Sequence, residues 1–225
     1  MTNVAIFDLD GTLVDTPTGI VRSFDATFAE LGAPVPPAER IRSTIGIPLA
    51  IAFSQLLGVA PDDPLVTRAM AAYQVAFREL VLPEAGDLVF PGVADGLAAL
   101  EREGFALAVA TSKHRAGADA LLGAAGLRDR FAVVVGADQV DNPKPAPDTG
   151  LLVLGRFGAP ASRAVMVGDT VHDLGMATAA GIRSIAVTYG IHGRNELAAA
   201  APTWLADTFD EVVELLRARA RAATA

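Results

Sequence analysis

Short apolar segments alternate with amphipathic segments along most of the chain. The apolar segments are residues 4–7, 105–110, 132–135, 164–167, 184–187 and, more weakly, 203–205. They lack alternating polar positions, which is typical of strands buried on both faces of a parallel sheet. Helical periodicity fills the intervals at residues 93–102, 115–124, 149–157 and 174–180. This alternation predicts an α/β fold, a Rossmann-like doubly wound parallel sheet with right-handed crossovers.

The alternation is interrupted after the first strand by a purely helical segment. Residues 17–83 contain helical patterns and no convincing strand, with one apolar helix face over residues 20–31, a second helix after Pro48, and a third over residues 66–80. We therefore predict two domains, a core of residues 1–15 and 86–225 and an inserted all-helical cap of residues 16–85. Hinges are expected at residues 14–16 and 82–92.

Helix-capping residues are predicted at the start of two helices of the core. Thr208 and Glu211 have the spacing of a capping box at the start of the final helix. Asp173 is a candidate N-terminal cap for the helix of residues 174–180.

Composition narrows the functional classes. The chain has 225 residues, no cysteine, and a formal net charge of −8. Disulfides and thiol chemistry are excluded, and so large a negative charge argues against nucleic acid binding. The amino-terminal segment does not resemble a signal peptide, and no apolar run reaches the roughly 18 residues of a membrane span. We expect a cytoplasmic protein with no membrane partner.

Acidic residues follow the first predicted strand. Asp8 and Asp10 are separated by one residue, so both point to the same side of the extended chain, and Gly11 permits a sharp turn beyond them. Two neighbouring carboxylates repel each other unless a cation or a shared proton offsets the charge. An ordinary acidic loop after a strand is the alternative for this pair taken alone.

Polar groups also follow other predicted strands, and the carboxyl ends of parallel strands are where ligands bind in open sheets. The second strand ends in Thr111, Ser112 and Lys113, whose hydroxyls and turn amides could hold an anion. Lys144, one of only two lysines in the chain, lies among closely spaced prolines that hold a cation rigidly. The fourth strand ends in Asp169 and Asp173, carboxylates of the kind that magnesium prefers.

These segments together resemble the motifs of the haloacid dehalogenase superfamily, in its phosphatase branch with a helical cap after the first strand. The matching segments are DLDGT at 8–12, Thr111, Lys144 and GDTVHD at 168–173, and VFPGV at 89–93 resembles the return to the core. The resemblance covers nearly the whole chain and is closest to phosphoglycolate phosphatases and their pyrophosphatase-like and mutase-like relatives.

The resemblance implies a role for each matched residue. Asp8 would be the nucleophile that becomes an aspartyl phosphate, and Asp10 would be the general acid and base. Thr111, Ser112, Lys144 and the backbone amides around Leu9 and Asp10 would bind the phosphoryl group. Mg²⁺ would be the cofactor, with a ligand set implied by the resemblance: Asp8, the Asp10 carbonyl, Asp169 and Asp173, the last directly or through an outer contact.

The substrate implied is a small organic phosphate monoester, such as phosphoglycolate, a sugar phosphate or the phosphate of a specialised metabolite. Asp10 argues against a dehalogenase, and a cap without lysine argues against Schiff-base phosphonatase chemistry. A sugar phosphomutase similar to β-phosphoglucomutase and a non-catalytic phosphate-binding module remain as alternatives. We expect a monomer or a weak homodimer.

Specificity candidates lie near the cap. They are Arg42, Thr44, Gly46 and Ile47 of the cap, together with Lys113 of the core. His172 is interpreted as an exposed loop residue or an outer contact of the site, and His114 and His192 as surface residues rather than ligands.

Overall fold

A six-stranded parallel sheet forms the centre of the molecule in a computed structural model that describes residues 2–222. The strands are β1 (Val4–Phe7), β2 (Ala106–Ala110), β3 (Val133–Val135), β4 (Ala164–Gly168), β5 (Arg183–Val187) and β6 (Trp204–Ala206). Their order is β3-β2-β1-β4-β5-β6, and each neighbouring pair is parallel. The predicted α/β fold is confirmed, with strand ends that differ from the predicted ones by at most one residue.

Helices account for most of the remaining chain. They are α1 (Pro17–Leu31), α2 (Ala38–Arg42), α3 (Leu49–Leu57), α4 (Pro64–Leu80), α5 (Val93–Arg102), α6 (Arg115–Ala124), α7 (Asp148–Phe157), α8 (Val171–Ala179), α9 (Arg194–Ala199) and α10 (Phe209–Ala222). None of these helices combines the length and the apolarity needed to span a bilayer within residues 2–222.

The two faces of the sheet bury different clusters of apolar side chains, because successive residues of a strand point in opposite directions. Ala5 and Phe7 of β1 pack in a cluster with α5, α6 and α10, whereas Val4 and Ile6 pack in a cluster with α7 and α8. The strands read as continuous apolar segments because both faces are covered.

The strand order creates a crevice at the carboxyl ends of β1 and β4. The chain leaves β1 toward β2 and β3 on one side, and then returns to β4 on the other side of β1. Ligands of open α/β sheets bind at such a switch point. Asp8, Thr111 and Asp169 are the residues that follow β1, β2 and β4, so the topology gathers the predicted site residues at this crevice.

Within residues 17–83 the described chain is helical, as predicted, but it contains four α-helices rather than three. The additional helix, α2, is only five residues long and follows Pro36 and Pro37, so its periodicity is too short to detect. The two predicted hinge segments lie side by side, because the Asp15 N–H donates to the Leu88 carbonyl and the Phe90 N–H donates to the Leu13 carbonyl. The division into a core and a cap domain stays a prediction.

Helix α8 begins three residues earlier than predicted, and the expected cap is wrong. The N-cap is Thr170, whose side chain accepts a hydrogen bond from the Asp173 N–H, while the Asp173 carboxylate accepts from the Thr170 N–H at 3.0 Å. Asp173 is thus the third helical residue of a capping box. At α10, the Thr208 hydroxyl accepts from the Glu211 N–H as predicted, but the Glu211 carboxylate accepts from the Asp207 N–H instead of Thr208.

Substituting Gly96 with alanine is expected to destabilise the packing of α5 on α10. A Cβ atom at Gly96 would lie 2.7 Å from the Phe209 ring and 2.8 Å from Val213. Such overpacking costs about 1–3 kcal/mol of unfolding free energy, measured by urea denaturation. Gly155→Ala is the matched control, because Gly155 lies in α7 with open space around it and alanine favours a helix by about 0.5–1 kcal/mol. Equal unfolding midpoints for the two variants would contradict this account of the packing.

Candidate active site

Three buried carboxylates meet at the carboxyl end of the sheet. Asp8 follows β1, Asp169 follows β4, and Asp173 lies in the first turn of α8. One oxygen from each lies within 4.8 Å of the others, and the three residues are 4%, 0% and 0% exposed. Carboxylates so close together and so dry repel one another strongly, so this arrangement requires a compensating positive charge.

Glycines let the backbone approach Asp169 closely. A Cβ atom at Gly11 would lie 2.2 Å from Asp169 Oδ2, and one at Gly190 would lie 2.4 Å from the same oxygen. Gly11 also has a φ angle of +82°, which L-residues with a side chain rarely adopt. The Thr12 hydroxyl donates to Asp169 Oδ1 at 2.7 Å and the Ile191 N–H donates to Oδ2 at 2.8 Å. Asp169 is therefore held in one orientation.

Lys144 supplies a buried positive charge between two of the carboxylates. Its Nζ donates to Asp173 Oδ1 at 2.5 Å and lies 3.0 Å from Asp8 Oδ1, and the residue is 3% exposed. Burial alone would lower the pKa of Lys144, but Asp173 and Asp8 outweigh that effect and raise it to about 12. The ammonium group thus stays charged and is aimed at the carboxylate of Asp8.

The charge of Lys144 does not balance the whole cluster. Burial raises the pKa of Asp8 to about 7, and although Lys144 opposes the rise, Asp173 and Asp10 add to it. Burial, Asp173 and Asp8 likewise raise the pKa of Asp169. Asp8 Oδ1 is buried without a well-aligned hydrogen bond, because Lys144 lies close to it but off the required direction. An unsatisfied buried carboxylate oxygen beside two further carboxylates fits a divalent cation such as Mg²⁺.

Asp10 is separate from this cluster and faces the helical segment. The Thr16 hydroxyl donates to Asp10 Oδ1 at 2.6 Å, and Lys113 Nζ lies 3.1 Å from Asp10 Oδ2. The same ammonium lies 4.2 Å from the centre of the Phe77 ring in α4, a cation–π contact. Lys113 therefore links the predicted acid–base residue to the helical segment.

The predicted phosphate-binding residues occupy the ends of β1 and β2. Thr111 is buried beside the site, and its hydroxyl accepts a hydrogen bond from the Lys113 N–H at 3.2 Å. The Ser112 hydroxyl instead donates to the Gly46 carbonyl at 2.6 Å, so its side chain joins the core to the helical segment. The side chain of Leu9 lies in the core, which leaves only its backbone available to a ligand.

A cavity of about 280 Å³ opens above Asp8 and Asp10. Thr44, Gly46, Ile47 and Lys113 line it, so the structure brings these specificity candidates to the site. Arg42 does not line it, and its guanidinium donates to the Thr18 hydroxyl in an exposed position. Arg42 is therefore not brought together with the other candidates.

The three histidines are all partly exposed. His172 is half-buried in the first turn of α8 rather than exposed in a loop, and burial lowers its pKa. His192 is half-buried too, and its Nδ1 accepts a hydrogen bond from the Val171 N–H at 3.2 Å. His114 lines the cavity at the N-cap of α6. His114 and His192, interpreted as surface residues rather than ligands, are both partly exposed, and neither belongs to the carboxylate cluster.

Several residues near the site were not among the site residues predicted from the sequence. Thr12 orients Asp169, Thr16 orients Asp10, and Tyr73 and Phe77 of α4 line the cavity. The position of Thr12 directly after Gly11 is a local signal that could have found it. The residues of α4 could not be assigned to the cavity in this way, because their apolar spacing is equally that of a core-facing helix.

Comparisons with known proteins agree with this geometry. The model of the haloacid dehalogenase-like hydrolase family matches residues 5–187. The chain belongs to this family. It is 54% identical over 213 residues to a protein of Dickeya dadantii named probable phosphatase IndB, with 95% of this chain and 93% of that protein covered. It is 35% identical to the phosphoglycolate phosphatase of Escherichia coli over 202 residues, with 82% and 80% covered.

Solved structures of the family have the same fold. A haloacid dehalogenase-like hydrolase from Streptococcus pneumoniae superposes with a TM-score of 0.80 at 27% identity, covering 95% of this chain and 98% of that one. CbbY from Rhodobacter sphaeroides, solved in complex with phosphate, gives a TM-score of 0.78 at 29% identity, with 94% and 96% covered. The prediction of a phosphatase of the haloacid dehalogenase family is confirmed.

Proposed function

We propose that this enzyme is a magnesium-dependent phosphatase that hydrolyses a small organic phosphate monoester through an aspartyl phosphate on Asp8. The observation that carries the proposal is the position of Asp8, between the buried ammonium of Lys144 and the floor of the cavity. A carboxylate that can be reached from a cavity and is flanked by a fixed cation is suited to nucleophilic attack on phosphorus.

In the first step Asp8 attacks phosphorus, and the bond between phosphorus and the ester oxygen breaks. Lys144 keeps its charge beside Asp8 and stabilises the negative charge that gathers on the attacking and equatorial oxygens. Thr111 and the backbone amides of Leu9, Asp10 and Ser112 are proposed to donate hydrogen bonds to the phosphoryl oxygens.

Asp10 is proposed to give a proton to the leaving oxygen, and later to take one from the water that attacks the aspartyl phosphate. Its location supports this role, since Asp10 lines the cavity that would hold the leaving group. Thr16 and Lys113 hold both of its oxygens and so restrict its orientation.

Asp8, Asp169 and the Asp10 carbonyl are proposed to hold Mg²⁺, which when bound offsets the negative charge of the carboxylates and the phosphate. Asp173 gives one oxygen to Lys144 and the other to Thr170. We therefore propose that Asp173 chiefly positions Lys144 and supports the metal site without itself being a direct ligand.

Removal of divalent metal is expected to abolish phosphate release. Excess chelator should reduce turnover of p-nitrophenyl phosphate to background, and added Mg²⁺ should restore it, because the carboxylates otherwise repel the phosphate. Ca²⁺ should fail to restore activity and should compete with Mg²⁺, since it prefers more ligands at longer distances. Full activity in excess chelator would contradict the proposed metal site.

A screen of phosphate monoesters tests the function itself. Phosphoglycolate, hexose phosphates and larger organic phosphates should be assayed with Mg²⁺ for release of inorganic phosphate. Release at rates above those of Asp8→Asn supports the proposal. Conversion of a hexose 1-phosphate to its 6-phosphate without net phosphate release would instead indicate a sugar phosphomutase, and an absence of both reactions a binding module.

A further inference from the structure

Tyr73 belongs to the helical side of the cavity above Asp8 and Asp10. It belongs to α4, and its ring lies 4.9 Å from Phe24, 6.0 Å from Phe53 and 5.9 Å from Phe77, measured between ring centres. The residue is only 6% exposed, yet it lines the cavity above Asp8 and Asp10. Packing against these aromatic side chains restricts the orientation of the Tyr73 ring and therefore the position of its hydroxyl group.

The hydroxyl of Tyr73 has no hydrogen-bond partner among residues 2–222. Tyr189, the other tyrosine of the chain, shows the contrast, since its hydroxyl donates to the Thr12 carbonyl at 3.0 Å. The Tyr73 hydroxyl is not among the fully buried unsatisfied atoms and its residue lines the cavity, so the hydroxyl is available to donate to a ligand there. Burial, with a contribution from Asp10, raises the pKa of Tyr73, so the phenol remains protonated and able to donate.

The remaining walls of the cavity are mostly apolar. Phe24, Ile45, Ile47, Leu49 and Leu82 contribute to them. Two cationic side chains line the cavity: Lys113, which is paired with Asp10, and Arg78, which is exposed to solvent. A small anionic leaving group such as glycolate would have only the solvent-exposed Arg78 to neutralise its carboxylate, whereas a larger apolar leaving group would cover the apolar walls and remove them from water.

We infer that Tyr73 is a specificity-determining residue whose hydroxyl donates a hydrogen bond to an uncharged acceptor on the leaving group of the substrate. The substrate class that fits is a phosphate monoester with a largely apolar organic body carrying such an acceptor. This inference rests on the proposed phosphatase function and narrows its substrate from the wider set of small phosphate esters.

The test compares esters that differ only in the acceptor. The probes are 2-phenylethyl phosphate and the three isomeric 2-(pyridinyl)ethyl phosphates, assayed with Mg²⁺ at a pH where the pyridine is neutral. All four esters have a primary alkoxide leaving group of nearly the same basicity. In the unaltered enzyme all four should exceed phosphoglycolate and ethyl phosphate in kcat/KM by about tenfold or more, because each brings additional apolar surface to the cavity.

Tyr73→Phe removes the hydroxyl and keeps the ring. We expect it to lower kcat/KM for at least one pyridinyl isomer by about 3- to 10-fold, mainly by raising KM, the loss associated with one neutral hydrogen bond. The phenyl ester should change by less than about twofold. Tyr189→Phe is the matched control, because it removes a hydroxyl that does not face the cavity and should leave the ratio between the two esters unchanged.

The outcomes separate the inference from the function on which it rests. Hydrolysis of p-nitrophenyl phosphate together with a preference for phosphoglycolate would overturn the inference and leave the phosphatase intact. An equal loss on the phenyl and pyridinyl esters in Tyr73→Phe would also overturn it, because a purely structural role would have that effect. If no ester is hydrolysed, the proposed function fails and the inference fails with it.

Discussion

Replacing Asp8 with asparagine is expected to abolish turnover of every phosphate monoester. The asparagine amide retains the size of the side chain and an oxygen that faces the site, but it cannot attack phosphorus. Burial and repulsion by Asp173 outweigh the attraction of Lys144 for the Asp8 carboxylate, and Asp173 still pairs with Lys144 in the variant, so the neutral substitute should not weaken the fold. Thermal unfolding should therefore occur at a temperature equal to or above that of the unaltered enzyme.

Rapid acid quench followed by intact-protein mass measurement tests this prediction directly. The unaltered enzyme should gain the mass of one phosphoryl group during turnover, and Asp8→Asn should gain none. The matched comparison is Asp10→Asn, which keeps the nucleophile and should still form the phosphoenzyme. Residual turnover in Asp8→Asn, or a phosphoryl group located on Asp10 or on a serine, would refute the assigned mechanism.

Replacing Asp10 with asparagine is expected to slow the reaction without preventing the first bond from forming. The loss of proton transfer is worth about 10²–10⁴-fold in rate. The loss should be smaller for p-nitrophenyl phosphate than for an alkyl phosphate, since a good leaving group needs little protonation. The phosphoenzyme should also persist longer, because no carboxylate remains at this position to activate the hydrolytic water.

A second variant separates proton transfer from the structural role of Asp10. Lys113→Met removes the ion pair with Asp10 but retains the carboxyl group. Thr16 still holds the carboxyl group, so proton transfer remains possible and the loss of rate should depend on the leaving group much less than in Asp10→Asn. The measurement is kcat for a series of aryl and alkyl phosphates in each variant. An equal loss across the series in Asp10→Asn would contradict the role of Asp10 as the general acid.

The arrangement around Lys144 explains how so many carboxylates share one buried space. Removing either partner of a buried ion pair leaves an uncompensated charge, which is strongly destabilising. Here Lys144 is engaged by both Asp173 and Asp8, while Thr12 and the Ile191 N–H hold Asp169. The structure thus keeps the site assembled through specific polar contacts, and the proposed cation would relieve the repulsion that remains.

The sequence alone was sufficient to predict the parallel sheet and the residues at the carboxyl ends of its strands. Continuous apolar segments of four to six residues identify buried parallel strands, because both faces of each strand are covered. Asp8, Thr111 and Asp169 directly follow such strands, and the carboxyl ends of parallel strands meet at one edge. Local chemistry and topology therefore agree, and these residues could be placed together before any coordinates were known.

The walls of the cavity were decided only by tertiary structure. The apolar spacing of Tyr73 and Phe77 in α4 is the same whether the helix faces a core or a substrate. What distinguishes Tyr73 is a hydroxyl left without a partner, and that depends on which side chains of other elements come near it. The pairing of Lys144 with both Asp8 and Asp173 likewise depends on contacts between distant segments. Sequence patterns report which face of an element is apolar, but only packing determines what that face meets.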